Sequence, residues 1–298
     1  MNSCAKVCNM NFNTPLRYPG GKGKLTEFIK LVFEENDLLD GHYAEPYAGG
    51  AGIAINLLML EYASCIHLND IDPSVYAFWH SVINSSDELC KKIRDVKLDM
   101  TEWRKQKAVQ RTPEKYSLLE LGFSTFFLNR TNRSGIINAG VIGGNAQTGE
   151  WKIDARFNKL DLCRRIEKIA LYRSRIRLYN LDATNMITGV LPSLPQKTLI
   201  YIDPPYYDKA DRLYKNFYKH GDHLAISNLV KKKIKIPWVV SYDNAPEIVE
   251  MYSDCPTITY GMNYSASSYY EGSEAMFFSK KLKIPDVINP AKPELVIA

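Results

Sequence analysis

His42-Tyr43-Ala44-Glu45-Pro46-Tyr47-Ala48-Gly49-Gly50-Ala51-Gly52 is the stretch on which the fold turns. Residues 42–46 end a short strand, Gly49 to Gly52 form a tight turn, and residues 53–62 run on as an apolar helix. A second strand, 64–68, closes on Asn69-Asp70-Ile71-Asp72-Pro73, and residues 74–84 are again helical. Strand, glycine loop, helix, strand and acidic strand end, in that order, predict a doubly wound α/β sheet.

Beyond residue 85 the pattern changes. Residues 86–177 are richer in Arg and Lys, lose the strand–helix alternation, and carry a Gly/Asn-rich stretch at 138–149 suited to an exposed hairpin. Strand character returns at 177–181 and 198–202, each ending on an aspartate (Asp182, Asp203), and again at 238–241 and 274–279. The expected division is a discontinuous domain of residues 1–84 and 178–284, an inserted module at 85–177, and a loose tail at 285–298.

Composition narrows the class. With 45% hydrophobic and 24% charged residues the chain has the makings of an ordinary core, and a net charge of +5 suits an enzyme that approaches phosphates. The six cysteines form no C-x-x-C pair and have no histidines at zinc spacing, so reduced, mostly buried thiols and no metal are expected. No apolar run approaches the ~20 residues of a membrane span, and no signal peptide is visible, so a cytoplasmic protein is expected.

Asp203-Pro204-Pro205-Tyr206 follows the apolar strand Leu199-Ile200-Tyr201-Ile202, at the strand end where open α/β sheets bind ligands. Taken alone, four such residues also occur as a plain structural turn. Their chemistry suits a weakly nucleophilic exocyclic amine. A carboxylate and a carbonyl each accept one N–H, steer the nitrogen toward tetrahedral geometry, and localise its lone pair. The prolines keep the Pro204 carbonyl aimed, Tyr206 offers a face for a base taken out of its duplex, and Asp203 stabilises the charge that develops. The glycine loop lets a cofactor approach the backbone, and Asp70 is placed to hold ribose hydroxyls. The absent G-x-G-x-x-G disfavours a nicotinamide enzyme. Residues 16–24 lack the spacing and the Ser/Thr of a phosphate loop.

Residues 16–22, Ala44-Glu45-Pro46-Tyr47-Ala48-Gly49-Gly50, Asn69-Asp70-Ile71, Phe126-Phe127-Leu128-Asn129-Arg130 and Asp203 to Tyr206 occur in the order of Dam-type (D12 class, alpha-group) DNA adenine-N6 methyltransferases, which the chain resembles from about residue 15 to about 280. The resemblance implies a Rossmann-like class I methyltransferase sheet binding S-adenosylmethionine, with an inserted, mainly helical target-recognition module carrying a β-hairpin. It implies cofactor contacts at Tyr18, Lys22, Pro46, Gly49, Asp70, Ile71, Asp182 and Asp203. Double-stranded DNA would be the partner, approached by Arg17, Arg130, Arg133, Ser134, Ile136 and Asn138. Bacterial or phage origin, a companion restriction endonuclease and a monomer or weak dimer belong to the same expectation.

Ala51 stands where the family's loop has its second glycine, with Gly50 and Gly52 able to supply freedom. Among the module's wedge and base-reading positions only Ile136 is similar in kind, so GATC recognition is not implied. Arg17 either reads a guanine bidentately or contacts phosphate. The run Arg164, Arg165, Lys168, Arg173, Arg175 and Arg177 is either a solvated face or a phosphate contact. Residues 207–221, with Tyr214, Phe217 and Tyr218, form either a closing lid or an ordinary surface loop. Methylation of adenine in RNA or of a glutamine amide, and a catalytically silent DNA-binding protein, are the competing readings.

Overall fold

The computed structural model describes residues 13–17, 21–207, 218–264 and 270–293. After a 3₁₀ turn at Lys22–Leu25, the helix Thr26–Glu35 (α1) leads into β1 (Gly41–Glu45), α2 (Gly52–Met59), β2 (Ala63–Asn69) and α3 (Pro73–Asn84). Four helices follow: α4 (Ser86–Asp95), α5 (Met100–Arg111), α6 (Leu118–Thr131) and α7 (Lys159–Ala170). The chain then re-enters the sheet through β3 (Ile176–Tyr179), β4 (Thr198–Ile202), β5 (Trp238–Asp243), β6 (Thr257–Tyr264) and β7 (Tyr270–Phe278).

The seven strands lie in the order β3-β2-β1-β4-β5-β7-β6. Those from β3 to β5 are parallel, and β7 is antiparallel between β5 and β6. Strand order reverses between β1 and β4, so the crevice outside their carboxyl ends is the ligand site the topology dictates. Alternation along the strands feeds two cores, as a sheet covered on both faces requires. Tyr43, Ile66, Leu199 and Tyr201 pack on α1, α2 and α3, while Ile200, Ile202, Val240 and Tyr242 pack under the helix His220–Lys233. The α/β reading of the sequence holds. Strand β6 and helix α1 are additions to it.

Helices α4 to α7 lie between α3 and β3, with turns and irregular chain over residues 132–158. Helix α6 is buried all round from Leu121 to Thr131, and its Phe126 stacks on Phe78 of α3 at 5.9 Å between ring centres. One apolar cluster therefore runs from the sheet through α3 into α4, α6 and α7. The expected β-hairpin does not form. Residues 138–149 are a series of turns, with one isolated bridge between Asn132 and Val141. Gly143 and Gly144 both have positive φ, and the Gln147 side chain donates to the Ile142 and Gly144 carbonyls, curling the segment on itself. Among the described residues no helix is long and apolar enough to cross a membrane.

Candidate active site

Four strand ends build the site. A cavity of about 580 Å³ is lined by Pro46 and Gly49 after β1, Asp70 and Ile71 after β2, Asp182 after β3, and Asp203 and Pro205 after β4. Lys22, Arg17, Arg130, Ile136 and Asn138 line the same cavity. The residues expected at a cofactor and those expected at DNA thus converge. Pro204 and Tyr206 are buried and are not among its lining residues. Arg133 is exposed, its backbone N–H donating to Gly140, and Ser134 takes a left-handed turn (φ 56°). Tyr18 lies outside the described residues, as do Tyr214 and Phe217.

The glycine loop is held from three sides. Gly49 N–H donates to Asp70 Oδ2 at 2.9 Å, Trp79 of α3 donates its indole N–H to the Gly49 carbonyl at 2.9 Å, and Asn69 Nδ2 donates to the Pro46 carbonyl at 2.9 Å. Asn69 also exchanges hydrogen bonds with the Leu181 backbone, which fixes the Asp182 loop beside it. Ala51, where the family has glycine, itself adopts the left-handed conformation (φ 46°, ψ 36°) at the start of α2. The neighbouring glycines do not relieve it, and an alanine pays about 1 kcal/mol there.

Asp70 accepts on both oxygens, from Gly49 N–H and from Asp72 N–H at 2.9 Å each. Burial pushes its carboxyl up to about 7 despite these bonds. Glu45, at the end of β1, is pushed up to about 8 by burial, with the Tyr43 hydroxyl donating to it at 3.0 Å. Asp182 caps the next short helix by accepting from Thr184 N–H at 2.8 Å.

Asp203 sits in a different environment. Lys22 Nζ lies 3.0 Å from its Oδ1 and 3.5 Å from Glu274 Oε1. Ser241 donates to the same Asp203 oxygen at 2.8 Å and receives a bond from Tyr201 OH at 2.9 Å. The Tyr206 hydroxyl donates to Glu274 at 2.9 Å and accepts from Lys22 at 3.1 Å, and the Lys22 ammonium stands 4.8 Å from the centre of the Tyr206 ring. Tyr260 donates to the other Glu274 oxygen at 2.7 Å. Burial alone would lower the Lys22 amine, but the two carboxylates hold it well above its usual value. Burial pushes the Asp203 carboxyl up against the pull of Lys22.

Glu274 and Ser241 were not among the expected site residues. The one signal for Glu274 was a charge inside an apolar strand. Asn129 was also missed. It accepts from Arg17 N–H at 2.8 Å and donates to the Arg17 and Gly135 carbonyls at 2.7 and 2.9 Å, and so clamps the N-terminal segment to α6. Gly135, at φ 76°, presses so closely that a Cβ would meet the Arg17 carbonyl oxygen at 2.1 Å. Arg130 is buried with its Nε donating to the Pro15 carbonyl at 2.8 Å, and burial lowers its guanidinium to about 9.

The basic run divides. Arg165 lines the cavity, whereas Arg175 donates to the Ser64 and Ala63 carbonyls at 2.7 and 2.8 Å and holds the start of β2. Tyr218 bonds Tyr47 of the glycine loop at 2.9 Å.

Fold and site together define an α/β enzyme with its ligand crevice at the reversal point of a mostly parallel sheet. The chain belongs to the D12 class N6 adenine-specific DNA methyltransferase family, whose model matches residues 18–266. It is a methyltransferase. No curated protein matches it.

Among solved structures it is similar to PH1948 of Pyrococcus horikoshii, proposed to be an RNA methyltransferase, at 9% identity over 89% of this chain and 84% of that one, with a TM-score of 0.42. The rRNA methyltransferase aviRa of Streptomyces viridochromogenes matches at 12% identity over 85% and 82%, with a TM-score of 0.34. Precorrin-6y C5,15-methyltransferase of Geobacter metallireducens matches at 10% identity over 84% and 87%, with a TM-score of 0.32.

Proposed function

We propose that this methyltransferase is of the Dam type and methylates N6 of an adenine flipped out of duplex DNA, using S-adenosylmethionine. The observation that carries this reading is the single cavity joining Asp203 to Asp70, Asp182 and the glycine loop, with Arg17, Ile136 and Asn138 on its lining. Three strand-end carboxylates and exposed backbone suit a ligand with hydroxyls, an amine and a positive centre, and the cavity volume of about 580 Å³ is of the size a nucleoside-bearing cofactor needs. Such a cofactor supplies a methyl group on a sulfonium sulfur.

The chain's own residues position the acceptor. Lys22 and Ser241 both hold Asp203 Oδ1. Oδ2 then takes one N–H of the adenine amine and the Pro204 carbonyl takes the other, which localises the lone pair and aligns it for direct displacement. Fixed partners mean that the carboxylate needs no rearrangement as positive charge grows on the nitrogen. Residues 85–177 serve as the recognition module, and Arg17, clamped by Asn129, carries its guanidinium to the DNA.

Asp203→Asn tests the assignment. Single-turnover transfer to duplex DNA should fall on the order of 10²–10³-fold with DNA affinity retained. Transfer at the wild-type rate would remove Asp203 from the chemistry.

A further inference from the structure

A second cluster of chemistry-bearing side chains lies away from the methyl-transfer cavity, and none of its members lines that cavity. His42 of β1 is paired in register with Cys65 of β2, and His67 lies two residues further along β2. Side chains alternate along a strand, so all three project from one face of the sheet. We propose that His42, Cys65 and His67 bind a zinc-class divalent cation and tie β1 to β2.

Two of the three distances between the ligand atoms fit such an ion. His42 Nδ1 lies 3.1 Å from His67 Nε2, Cys65 Sγ lies 3.8 Å from that same nitrogen, and the three ligand atoms fall within 4.8 Å of one another. Zinc bonds nitrogen at ~2.0–2.1 Å and sulfur at ~2.3 Å, which gives tetrahedral edges of about 3.3 Å for N–N and about 3.6 Å for N–S. A hydrogen-bonded chain of the two histidines alone would explain the nitrogen contact. The Cys65 sulfur, 3.8 Å from the same nitrogen, adds the third ligand atom.

Orientation supports the same conclusion. Tyr179 of β3 holds His67 Nδ1 at 3.1 Å, so when the ring donates there its Nε2 lone pair faces the other two ligands. A partner on the far ring nitrogen is the usual support of a ligating histidine. Cation binding exchanges the Cys65 thiol proton for the metal and releases that proton to solvent. The resulting thiolate offsets one of the ion's two charges.

The nearby arginines are engaged elsewhere. Arg175 pairs with Glu61 at 2.9 Å, and Arg177 donates to the Ser174 carbonyl at 2.7 Å. One sulfur and two imidazoles favour zinc or cobalt over magnesium or calcium. Half-buried His42 leaves room for water as the fourth ligand.

The test is a titration of the purified full-length chain with cobalt(II), followed by zinc(II) in competition. The expected result is one equivalent per chain, visible tetrahedral bands, and a near-ultraviolet thiolate-to-cobalt band that zinc abolishes. Cys65→Ser should lose the thiolate band, and His42→Gln should weaken zinc binding at least about tenfold. Tyr179→Phe keeps every ligand and the packing of the ring, and should weaken binding about 10–100-fold. It decides the matter if either ligand variant fails to fold. Absence of the thiolate band in the wild type, or unchanged zinc affinity in Tyr179→Phe and His42→Gln, overturns the site. Neither outcome depends on methyl transfer.

Discussion

At the end of β4, Asp203 is held by side chains from distant parts of the sequence, Lys22 and Ser241, with Glu274 sharing the lysine. At the end of β2, Asp70 is held by two backbone N–H groups from adjoining loops. The two carboxylates occupy equivalent places in the sheet and line one cavity. Their supports nevertheless differ in kind. The first corner is a buried charge network in which each ion depends on the others. The second is loop geometry that presents a carboxylate to the cavity. Stability should therefore concentrate at the first corner and ligand affinity at the second.

The largest effect expected from this contrast is that of Lys22→Ala. Removing the one ammonium leaves Asp203 and the fully buried Glu274 without their shared counter-ion. Unfolding free energy should fall by roughly 3–5 kcal/mol, measured by denaturant titration. A loss below about 1 kcal/mol would mean that the network contributes little and would erase the difference between the corners.

Asp70→Ala should instead leave stability nearly unchanged, because cavity water can reach the Gly49 and Asp72 N–H groups. Cofactor affinity should drop by about 1–3 kcal/mol through lost hydrogen bonds, read by calorimetry. Unchanged affinity would refute the ribose role.

Glu45, at the end of β1, makes stability depend on pH. Its carboxyl is at about 8 in the fold, against ~4.3 in the unfolded chain. The folded state therefore keeps a proton that the unfolded state has lost. The resulting stability is full below ~4.3 and is lost as pH rises toward about 8. Glu45→Gln should flatten this part of the pH–stability curve, and an unaltered slope in thermal melts would contradict it.

The smallest effect is at Ala51, where Gly should relieve the left-handed strain and add about 0.5–1 kcal/mol. A lower melting temperature would show that the alanine methyl packs usefully there.

The same contrast explains what the sequence made legible. The glycine loop, Asp70 and the strand beneath Asp203 could be read because each is a local pattern of strand, turn and acid. The pairing of Lys22 with Glu274 could not, because it joins the two ends of the chain and leaves no mark in either neighbourhood. Strand β6 was missed because Thr257-Ile258-Thr259-Tyr260-Gly261 is a weakly apolar edge interrupted by glycine. The expected hairpin at 138–149 failed because the glycines that suggested a turn supply several in succession. Cys65 and His67 are too close in sequence to suggest a metal spacing. Only the register of β1 against β2 adds His42.

The reaction proposed for the cavity at the β1–β4 reversal is methylation of adenine in duplex DNA. The most direct measurement is incubation of the purified chain with labelled S-adenosylmethionine and mixed-sequence duplex DNA, followed by nucleoside analysis and single-molecule sequencing. The expected result is label in N6-methyladenine at a short recurrent sequence, absent with Asp203→Asn. Label in another base, in RNA alone, or undiminished in Asp203→Asn would contradict it.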